Sequence, residues 1–147
     1  MEYITLNTGA KMPMLGLGVF RIDDNDGRIA ILKAFELGYR SIDTAAAYDN
    51  EQVVGEAIAA SGIPRDELFI TTKLSNTAQR AGDLDGAFAE SLKKLGLDYV
   101  DLYLMHWPVP ETYRDSWLAM EKFHSDGRAK AIGISNFQTY HIEEIKK

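Results

Sequence analysis

The sequence lacks cysteine altogether, contains only four prolines, and has no long apolar run. The lack of cysteine excludes disulfides and thiolate metal sites, and we predict no metal site of another kind. No stretch approaches the ~18 apolar residues of a membrane span, and the N-terminus does not resemble a signal peptide. Acidic residues outnumber basic ones by 22 to 16, which argues against a nucleic-acid partner. We therefore expect a cytoplasmic protein with no membrane and no nucleic-acid partner.

What is present is enough apolar sequence to form a core. The chain has 147 residues, of which 46% are hydrophobic and 26% charged. We find no low-complexity segment and no linker between domains. These properties predict a single domain over residues 1–147.

One pattern recurs along the chain, in which a helix ends at a glycine and an apolar strand follows. After a predicted hairpin over residues 4–14, we predict strands at 15–20, 39–43, 68–73, 100–106 and 131–135. The predicted helices are an amphipathic segment that ends at residues 37–38 and includes Ile29, then 52–61, 84–95, 117–123 and a last helix from 140. Such alternation predicts an α/β fold with parallel strands and right-handed crossovers.

Polar residues stand where the later predicted strands end. Asp43, Lys73, His106 and the pair Ser135 and Asn136 follow one another at intervals of 30, 33 and 29 residues. This is about the length of one strand–helix unit. Because parallel strands end at the same edge of a sheet, we expect these side chains to share one rim, which in α/β barrels holds the active site.

The type of α/β fold depends on two further observations. A dinucleotide-binding fold with an open sheet calls for Gly-x-Gly-x-x-Gly after the first strand, but Gly16 and Gly18 have no third glycine after them. Polar residues after several strands fit a (β/α)₈ barrel of the TIM type better. Such a barrel typically has ~250 residues. We therefore predict only the N-terminal hairpin and about five βα units of that fold.

The motifs themselves resemble those of the aldo-keto reductase family across all 147 residues. They are Leu15-Gly16-Leu17-Gly18, Ile42-Asp43-Thr44-Ala45-x-x-Tyr48, Thr72-Lys73-Leu74, Leu104-Met105-His106-Trp107-Pro108 and Ile132-Gly133-Ile134-Ser135-Asn136-Phe137. The resemblance implies a (β/α)₈ barrel, bound NADP(H), and reduction of small-molecule aldehydes or ketones to alcohols by hydride transfer.

The resemblance also implies a catalytic tetrad of Asp43, Tyr48, Lys73 and His106. Reduction of a carbonyl leaves an alkoxide that needs a proton, and the ordinary pKa of a tyrosine, near 10, makes it a poor acid at neutral pH. An adjacent ammonium stabilises a phenolate, a task for Lys73, and Asp43 supplies the counter-charge. His106 would orient the carbonyl oxygen or help to relay the proton.

The same resemblance assigns two sets of binding residues. The cofactor contacts are expected at Gly18, Val19, Asp43, Ser135 and Asn136, with the last two at the nicotinamide carboxamide. The substrate contacts are expected at Phe20, Tyr48, His106 and Trp107, whose aromatic faces favour apolar or aromatic carbonyl compounds. Ser75 stands where many relatives have tryptophan, which opens one wall of the pocket.

Several residues have a simpler interpretation beside the functional one. Asp43 and Lys73 could form a structural ion pair only, and Ser135 or Asn136 could cap the last helix. His124 and His141 are predicted to be solvated. Family members continue for three more strand–helix units. The alternative function is therefore a truncated, weakly active or inactive fragment that self-associates through open barrel edges.

Overall fold

The computed structural model describes the backbone of residues 1–147 and all side chains except those of residues 24 and 25. It begins with the expected antiparallel hairpin, formed by β1 (Tyr3–Thr5) and β2 (Lys11–Pro13). A cavity between this hairpin and the sheet is lined by Tyr3, Lys11, Arg40 and Asp101, among others. The hairpin therefore lies across the amino ends of the parallel strands.

Five parallel strands form the central sheet in the order in which they occur along the chain. They are β3 (Leu17–Gly18), β4 (Ser41–Asp43), β5 (Phe69–Leu74), β6 (Val100–Met105) and β7 (Ala129–Ile134). Each strand pairs with the next, which is the sheet order of successive βα units in a barrel wall. The parallel α/β prediction is thus confirmed, although β3 is shorter than the predicted strand at 15–20.

Six helices connect or follow these strands: α1 (Asp24–Glu36), α2 (Glu51–Ser61), α3 (Asn76–Ala81), α4 (Leu84–Leu95), α5 (Tyr113–Ser125) and α6 (Thr139–Ile145). Asp23 caps α1 by accepting a hydrogen bond from the Asp26 amide at 2.9 Å. Gly38 follows that helix with a φ of 92°, a left-handed conformation that suits glycine. Short 3₁₀ turns cover Ala46–Tyr48 and Arg65–Glu67.

The core lies between the sheet and the helices. Phe88 of α4 stacks on Tyr103 of β6, with ring centroids 4.0 Å apart, and Phe123 of α5 packs against Phe88 at 4.9 Å. Ile42 and Ile70 contribute fully buried side chains from β4 and β5. This packing fixes the strands laterally, and so fixes the positions of the residues at their carboxyl ends.

The structure corrects three details of the predicted elements. Ile29 was expected on the apolar face of the first helix, but it is 60% exposed, whereas Ile31 is fully buried. Helix α3 was not predicted; Ser75 caps it by accepting a hydrogen bond from the Ala78 amide at 3.1 Å. Helix α5 begins at Tyr113, four residues before the predicted start. In α1 the apolar residues are too evenly distributed for the pattern to identify the buried face.

Two further observations concern the described part of the chain. None of its helices is long and apolar enough to cross a membrane. No group of three or more histidine, aspartate or glutamate side chains is arranged there to hold a metal ion.

Candidate active site

The sheet register brings the predicted rim residues to the same end. Gly18 pairs with Asp43, Asp43 with Thr71, and Lys73 with Leu104. His106 directly follows β6, and its amide donates to the Leu74 carbonyl at 3.3 Å. The structure therefore gathers Asp43, Lys73 and His106 at the carboxyl ends of three adjacent strands, as the spacing predicted.

Lys73 is the buried cation of this rim. Its side chain is 7% exposed, and Nζ donates hydrogen bonds to the Asp43 carboxylate, to the Thr44 carbonyl at 2.9 Å and to the Tyr48 hydroxyl at 3.4 Å. A buried ammonium is stable only when its three donors have acceptors, which these groups supply. The contact with Tyr48 distinguishes the arrangement from an ion pair alone.

Tyr48 ends the 3₁₀ turn that follows β4, and its ring is half-buried between Phe20, Lys73 and His106. The Lys73 ammonium lies 4.9 Å from the ring centroid. The His106 ring approaches Tyr48 edge-on, with ring centroids 5.6 Å apart. A phenol hydroxyl, an ammonium and an imidazole thus lie close together at the rim.

The surroundings of His106 favour its neutral form. Burial lowers the pKa of its imidazole, the positive charge of Lys73 lowers it further, and the Asp43 carboxylate opposes both. A neutral imidazole donates one hydrogen bond and accepts another, whichever tautomer it adopts. It can therefore orient an oxygen atom beside Tyr48 without adding charge.

Ser135 and Asn136 follow β7 and meet the same rim. The Ser135 amide donates to the Met105 carbonyl at 2.9 Å, and Asn136 Nδ2 donates to the His106 carbonyl at 2.9 Å and to Ser135 Oγ at 3.0 Å. Helix α6 begins only at Thr139, with Gln138 as its N-cap. Neither Ser135 nor Asn136 caps that helix, so the simpler interpretation of this pair is wrong.

The aromatic residues expected at the substrate lie at the mouth of the site. Phe20 is 58% exposed and packs on Tyr48 with ring centroids 4.8 Å apart, and Trp107 is 49% exposed. Gln79 Nε2 donates to the Trp107 carbonyl at 3.0 Å, which ties α3 to this loop. A cavity of about 450 Å³ beside His106 is lined by Ala46, Ala47, Ser75, Asn76, Thr77 and Trp107.

Gly18 and Val19, both expected at the cofactor, differ in their accessibility to a ligand. A side chain added at Gly18 would meet no heavy atom within 4 Å, so the backbone there faces open space. The Val19 side chain is buried, its amide donates to the Asp43 carbonyl at 3.0 Å, and its carbonyl accepts from Asn50 Nδ2 at 2.8 Å. Val19 therefore has almost no exposed surface, and few polar groups, left for a ligand.

Sequence reasoning missed the residues that hold the Tyr48 turn. Asn50 Oδ1 accepts from the Thr44 hydroxyl at 2.7 Å, and Glu51 Oε1 accepts from the Thr72 hydroxyl at 2.6 Å. In the sequence, Asp49-Asn50-Glu51 resembles the segment that follows the tyrosine in aldo-keto reductases, but polar residues at the start of a helix are normally solvated. Their burial is visible only in the folded chain.

The two remaining histidines differ from each other. His124 is exposed, as predicted, and its Nδ1 lies 3.0 Å from the Ala129 carbonyl. The prediction that His141 is solvated is wrong: it is half-buried, its Nδ1 accepts from the Gln138 amide at 3.0 Å, and its ring packs on Phe137. It stabilises the start of α6 because its imidazole replaces a missing backbone acceptor.

Residues 14–147 match the sequence model of the aldo/keto reductase family. The chain belongs to the aldo-keto reductase family. This confirms the resemblance seen in the motifs and the expected section of a (β/α)₈ barrel.

Aldo-keto reductases from bacteria and an insect are among its relatives. Glyoxal reductase of Bacillus subtilis (strain 168) is 49% identical over 147 residues, covering 99% of this chain and 53% of that protein. Methylglyoxal reductase DkgA of Salmonella typhimurium is 51% identical over 144 residues, covering 97% and 52%. The chain thus spans about half the length of the curated aldo-keto reductases it matches.

Solved aldo-keto reductases share the backbone. The aldo/keto reductase of Brucella melitensis superimposes with a TM-score of 0.94 at 46% identity, over 98% of this chain and 57% of that one. A Bombyx mori aldo-keto reductase solved in complex with NADP superimposes with a TM-score of 0.91 at 40% identity, over 99% and 53%.

Proposed function

We propose that this chain provides the catalytic rim of an NADP(H)-dependent reductase that converts aldehydes or ketones to alcohols, with Tyr48 as the general acid. The observation that carries the proposal is the environment of Lys73. Its buried ammonium contacts the Asp43 carboxylate, the Thr44 carbonyl and the Tyr48 hydroxyl at once. An ion pair with no catalytic role has no need of the third contact.

The proton transfer follows from that geometry. When the carbonyl carbon is reduced, the oxygen becomes an alkoxide, and the Tyr48 hydroxyl donates its proton to it. The phenolate left on Tyr48 is stabilised by the Lys73 ammonium, 3.4 Å away. The Asp43 carboxylate pairs with the Lys73 ammonium and compensates for the loss of water around it.

His106 orients the oxygen in this proposal. Its ring lies edge-on to Tyr48, and burial together with the charge of Lys73 lowers its pKa. The neutral imidazole donates a hydrogen bond to the carbonyl oxygen and aligns it with the Tyr48 hydroxyl. Asn136 Nδ2 donates a hydrogen bond to the backbone carbonyl of His106, which helps to fix the position of that residue.

The residues at the rim fit NADP(H), which supplies the hydride when bound. Ser135 has a hydroxyl, and Asn136 Oδ1 is left as an acceptor after Nδ2 has donated to His106 and Ser135. A carboxamide offers one donor group and one acceptor, which this pair can match. We assign Ser135 and Asn136 to the carboxamide, and the open backbone at Gly18, with Asp43, to the neighbouring surface of the cofactor. The contact expected at Val19 stays a prediction of the resemblance, because that residue is buried.

For the substrate we propose small aldehydes, including dicarbonyl compounds. Relatives that are about half identical to this chain over the aligned residues are named glyoxal and methylglyoxal reductases. Phe20 and Trp107 offer apolar walls, while Ser75, Asn76 and Thr77 line a cavity beside His106 with polar side chains. A small carbonyl compound with a second oxygen fits this mixed lining.

The test is NADPH consumption by the purified chain with methylglyoxal and with benzaldehyde. Tyr48→Phe should lower kcat at least 100-fold and change the Kd for NADPH less than twofold, because it removes only the proton donor. Tyr3→Phe, at the opposite end of the strands, is the matched control and should keep full activity. A Tyr48→Phe variant with most of the activity would remove Tyr48 as the acid.

The second candidate is a weakly active or inactive fragment that self-associates. It is favoured by the sheet order, which puts β3 and β7 at the two edges. Light scattering of the 147-residue polypeptide tests it, and a stable monomer without turnover would contradict both candidates. The cytoplasmic location and the lack of a nucleic-acid partner stay predictions.

A further inference from the structure

We propose that Asn50 and Glu51 are positioning residues that hold Tyr48 against Lys73. The inference rests on the proposed function, since it assigns these two residues to the placement of the acid. Neither residue belongs to the tetrad, and neither contacts the hydroxyl of Tyr48 in the structure. They act through the backbone turn that carries it.

The Tyr48 turn has little structure of its own. Its 3₁₀ segment, Ala46–Tyr48, has no side-chain cap, and the next residue, Asp49, is exposed with a left-handed φ of 56°. The ring of Tyr48 contacts Phe20, which is itself 58% exposed. The hydroxyl is 3.4 Å from Lys73 Nζ, a long contact for a hydrogen bond. Local contacts alone therefore fix the hydroxyl poorly.

Asn50 ties the turn to two strand ends. It stands at the N-cap position of α2, but its side chain does not cap the helix. Instead, Oδ1 accepts from the Thr44 hydroxyl at 2.7 Å, and Nδ2 donates to the Val19 carbonyl at 2.8 Å. Because asparagine is a good N-cap, its use elsewhere indicates a different task. It joins the turn to the segments that follow β3 and β4.

Glu51, the next residue, makes a second hydrogen bond of this kind. We call the Thr44–Asn50 and Thr72–Glu51 hydrogen bonds the two anchors of the Tyr48 turn. It is 2% exposed, and its Oε1 accepts from the hydroxyl of Thr72, a fully buried residue of β5, at 2.6 Å. A carboxyl group buried between a helix and a sheet is costly compared with an apolar side chain. A buried polar group that is hydrogen-bonded rigidifies the elements that it joins.

The partners of these anchors explain their effect on the site. Thr44 directly follows Asp43, and Thr72 directly precedes Lys73. The Thr44 carbonyl also accepts from Lys73 Nζ at 2.9 Å. The two anchors therefore attach the Tyr48 turn to the strand residues next to Asp43 and next to Lys73. Loss of either anchor allows the Tyr48 hydroxyl to move away from the ammonium.

The anchors can be removed without touching the tetrad. Thr44→Val and Thr72→Val each delete one donor hydroxyl at nearly constant volume, and Thr44→Ser and Thr72→Ser restore it. Thr71→Val is the matched control, since Thr71 is equally buried, lies in the same strand, and makes no side-chain hydrogen bond within the described residues. Thr72→Ala is a milder form of the second variant, because water can enter beside Glu51.

We expect each valine variant to lower kcat at least tenfold, with KM for NADPH and for the aldehyde changed less than twofold. Each serine variant should return kcat to within twofold of the wild-type value, and Thr71→Val should match the wild type. Should Thr72→Val fail to fold, Thr72→Ala should show the loss of kcat. Unchanged kcat in the folded variants that lack a hydroxyl, or no recovery with serine, overturns the proposal.

A readout that does not need turnover separates this proposal from the proposed function. The Tyr48 and His106 rings are close enough for a nuclear Overhauser effect, which Tyr48→Phe helps to assign. The valine variants should lose more than half of that signal, whereas the serine variants and Thr71→Val should retain it. If the wild-type chain does not turn over, the proposed function fails, and this signal alone shows whether Asn50 and Glu51 position Tyr48. An unchanged signal in both valine variants overturns the positioning role.

Discussion

The Lys73 ammonium donates a hydrogen bond to the Thr44 carbonyl at 2.9 Å, while the Thr44 hydroxyl donates to Asn50 at 2.7 Å. One residue thus links the buried cation to the loop that carries Tyr48. The contact with Lys73 uses the main chain of Thr44 and does not depend on the side chain at position 44, whereas the contact with Asn50 requires the Thr44 hydroxyl. The cation is therefore held by the backbone of one strand end and by the carboxylate of Asp43.

Replacement of Asp43 tests how much its carboxylate contributes to the stability of the fold. Asp43→Asn keeps an oxygen that accepts from Lys73, whereas Asp43→Ala leaves the ammonium with one acceptor fewer. We expect Asp43→Ala to lower the free energy of unfolding by about 1–3 kcal/mol, since a buried charge loses a partner, and Asp43→Asn to lower it by less. Urea denaturation at pH 7 measures both. Equal losses in the two variants would contradict the role of the oxygen.

The pKa shift of His106 predicts how stability depends on pH. Burial lowers its pKa below 6.5 in the folded state, so the unfolded chain binds more protons as pH falls through that value. The free energy of unfolding therefore falls as the pH drops below ~6.5. We expect the free energy of unfolding of His106→Gln to depend less on pH between pH 7.5 and 5. Denaturation of both proteins across that range provides the test, with the exposed His124→Gln as control. Parallel curves for wild type and His106→Gln would exclude the effect.

For Glu51 the dependence of stability on pH should have the opposite sign. Burial raises its pKa from 4.5, against the hydrogen bond from Thr72, so the folded chain binds the proton more tightly than the unfolded chain. Its favourable contribution is thus complete below pH 4.5 and is lost as pH rises through the folded-state pKa.

Glu51→Gln removes this dependence and keeps an oxygen for Thr72. We expect the variant to be more stable than the wild type at pH 7.5, with a difference that shrinks as pH falls toward 4.5. Thermal unfolding at a series of pH values measures the difference, and the exposed Glu56→Gln in the same helix is the control. A variant that is less stable at pH 7.5 would show that the charged form is favoured.

The order of the strands and the shared position of Asp43, Lys73 and His106 could be predicted from sequence because they depend on periodicity. Apolar runs spaced by one βα unit are enough to place strand ends on one rim. The burial of Asn50 and Glu51 could not be predicted, since it depends on how the start of α2 packs against Val19, Thr44 and Thr72. His141 was missed for a similar reason: its role depends on the path of the chain between β7 and α6.

The closeness of α2 and α4 leads to the last prediction. A Cβ at Gly55 would lie 2.8 Å from the Lys94 carbonyl oxygen and closer still to that of Leu95, both at the end of α4. Backbone atoms cannot move aside as a flexible side chain can, so Gly55→Ala must push the two helices apart. In an unobstructed helix the same change would stabilise the fold by ~1 kcal/mol.

We expect Gly55→Ala instead to lower the free energy of unfolding by about 1–3 kcal/mol, as overpacking does. Gln52→Ala, at an exposed position of the same helix, controls for helix propensity. Because α2 begins directly after Asn50, a displaced α2 should also carry the Tyr48 turn away from Lys73, and kcat should fall with stability. Urea denaturation and NADPH consumption measured on the same samples test both effects. A stabilised Gly55→Ala variant would mean that the helices have room to separate.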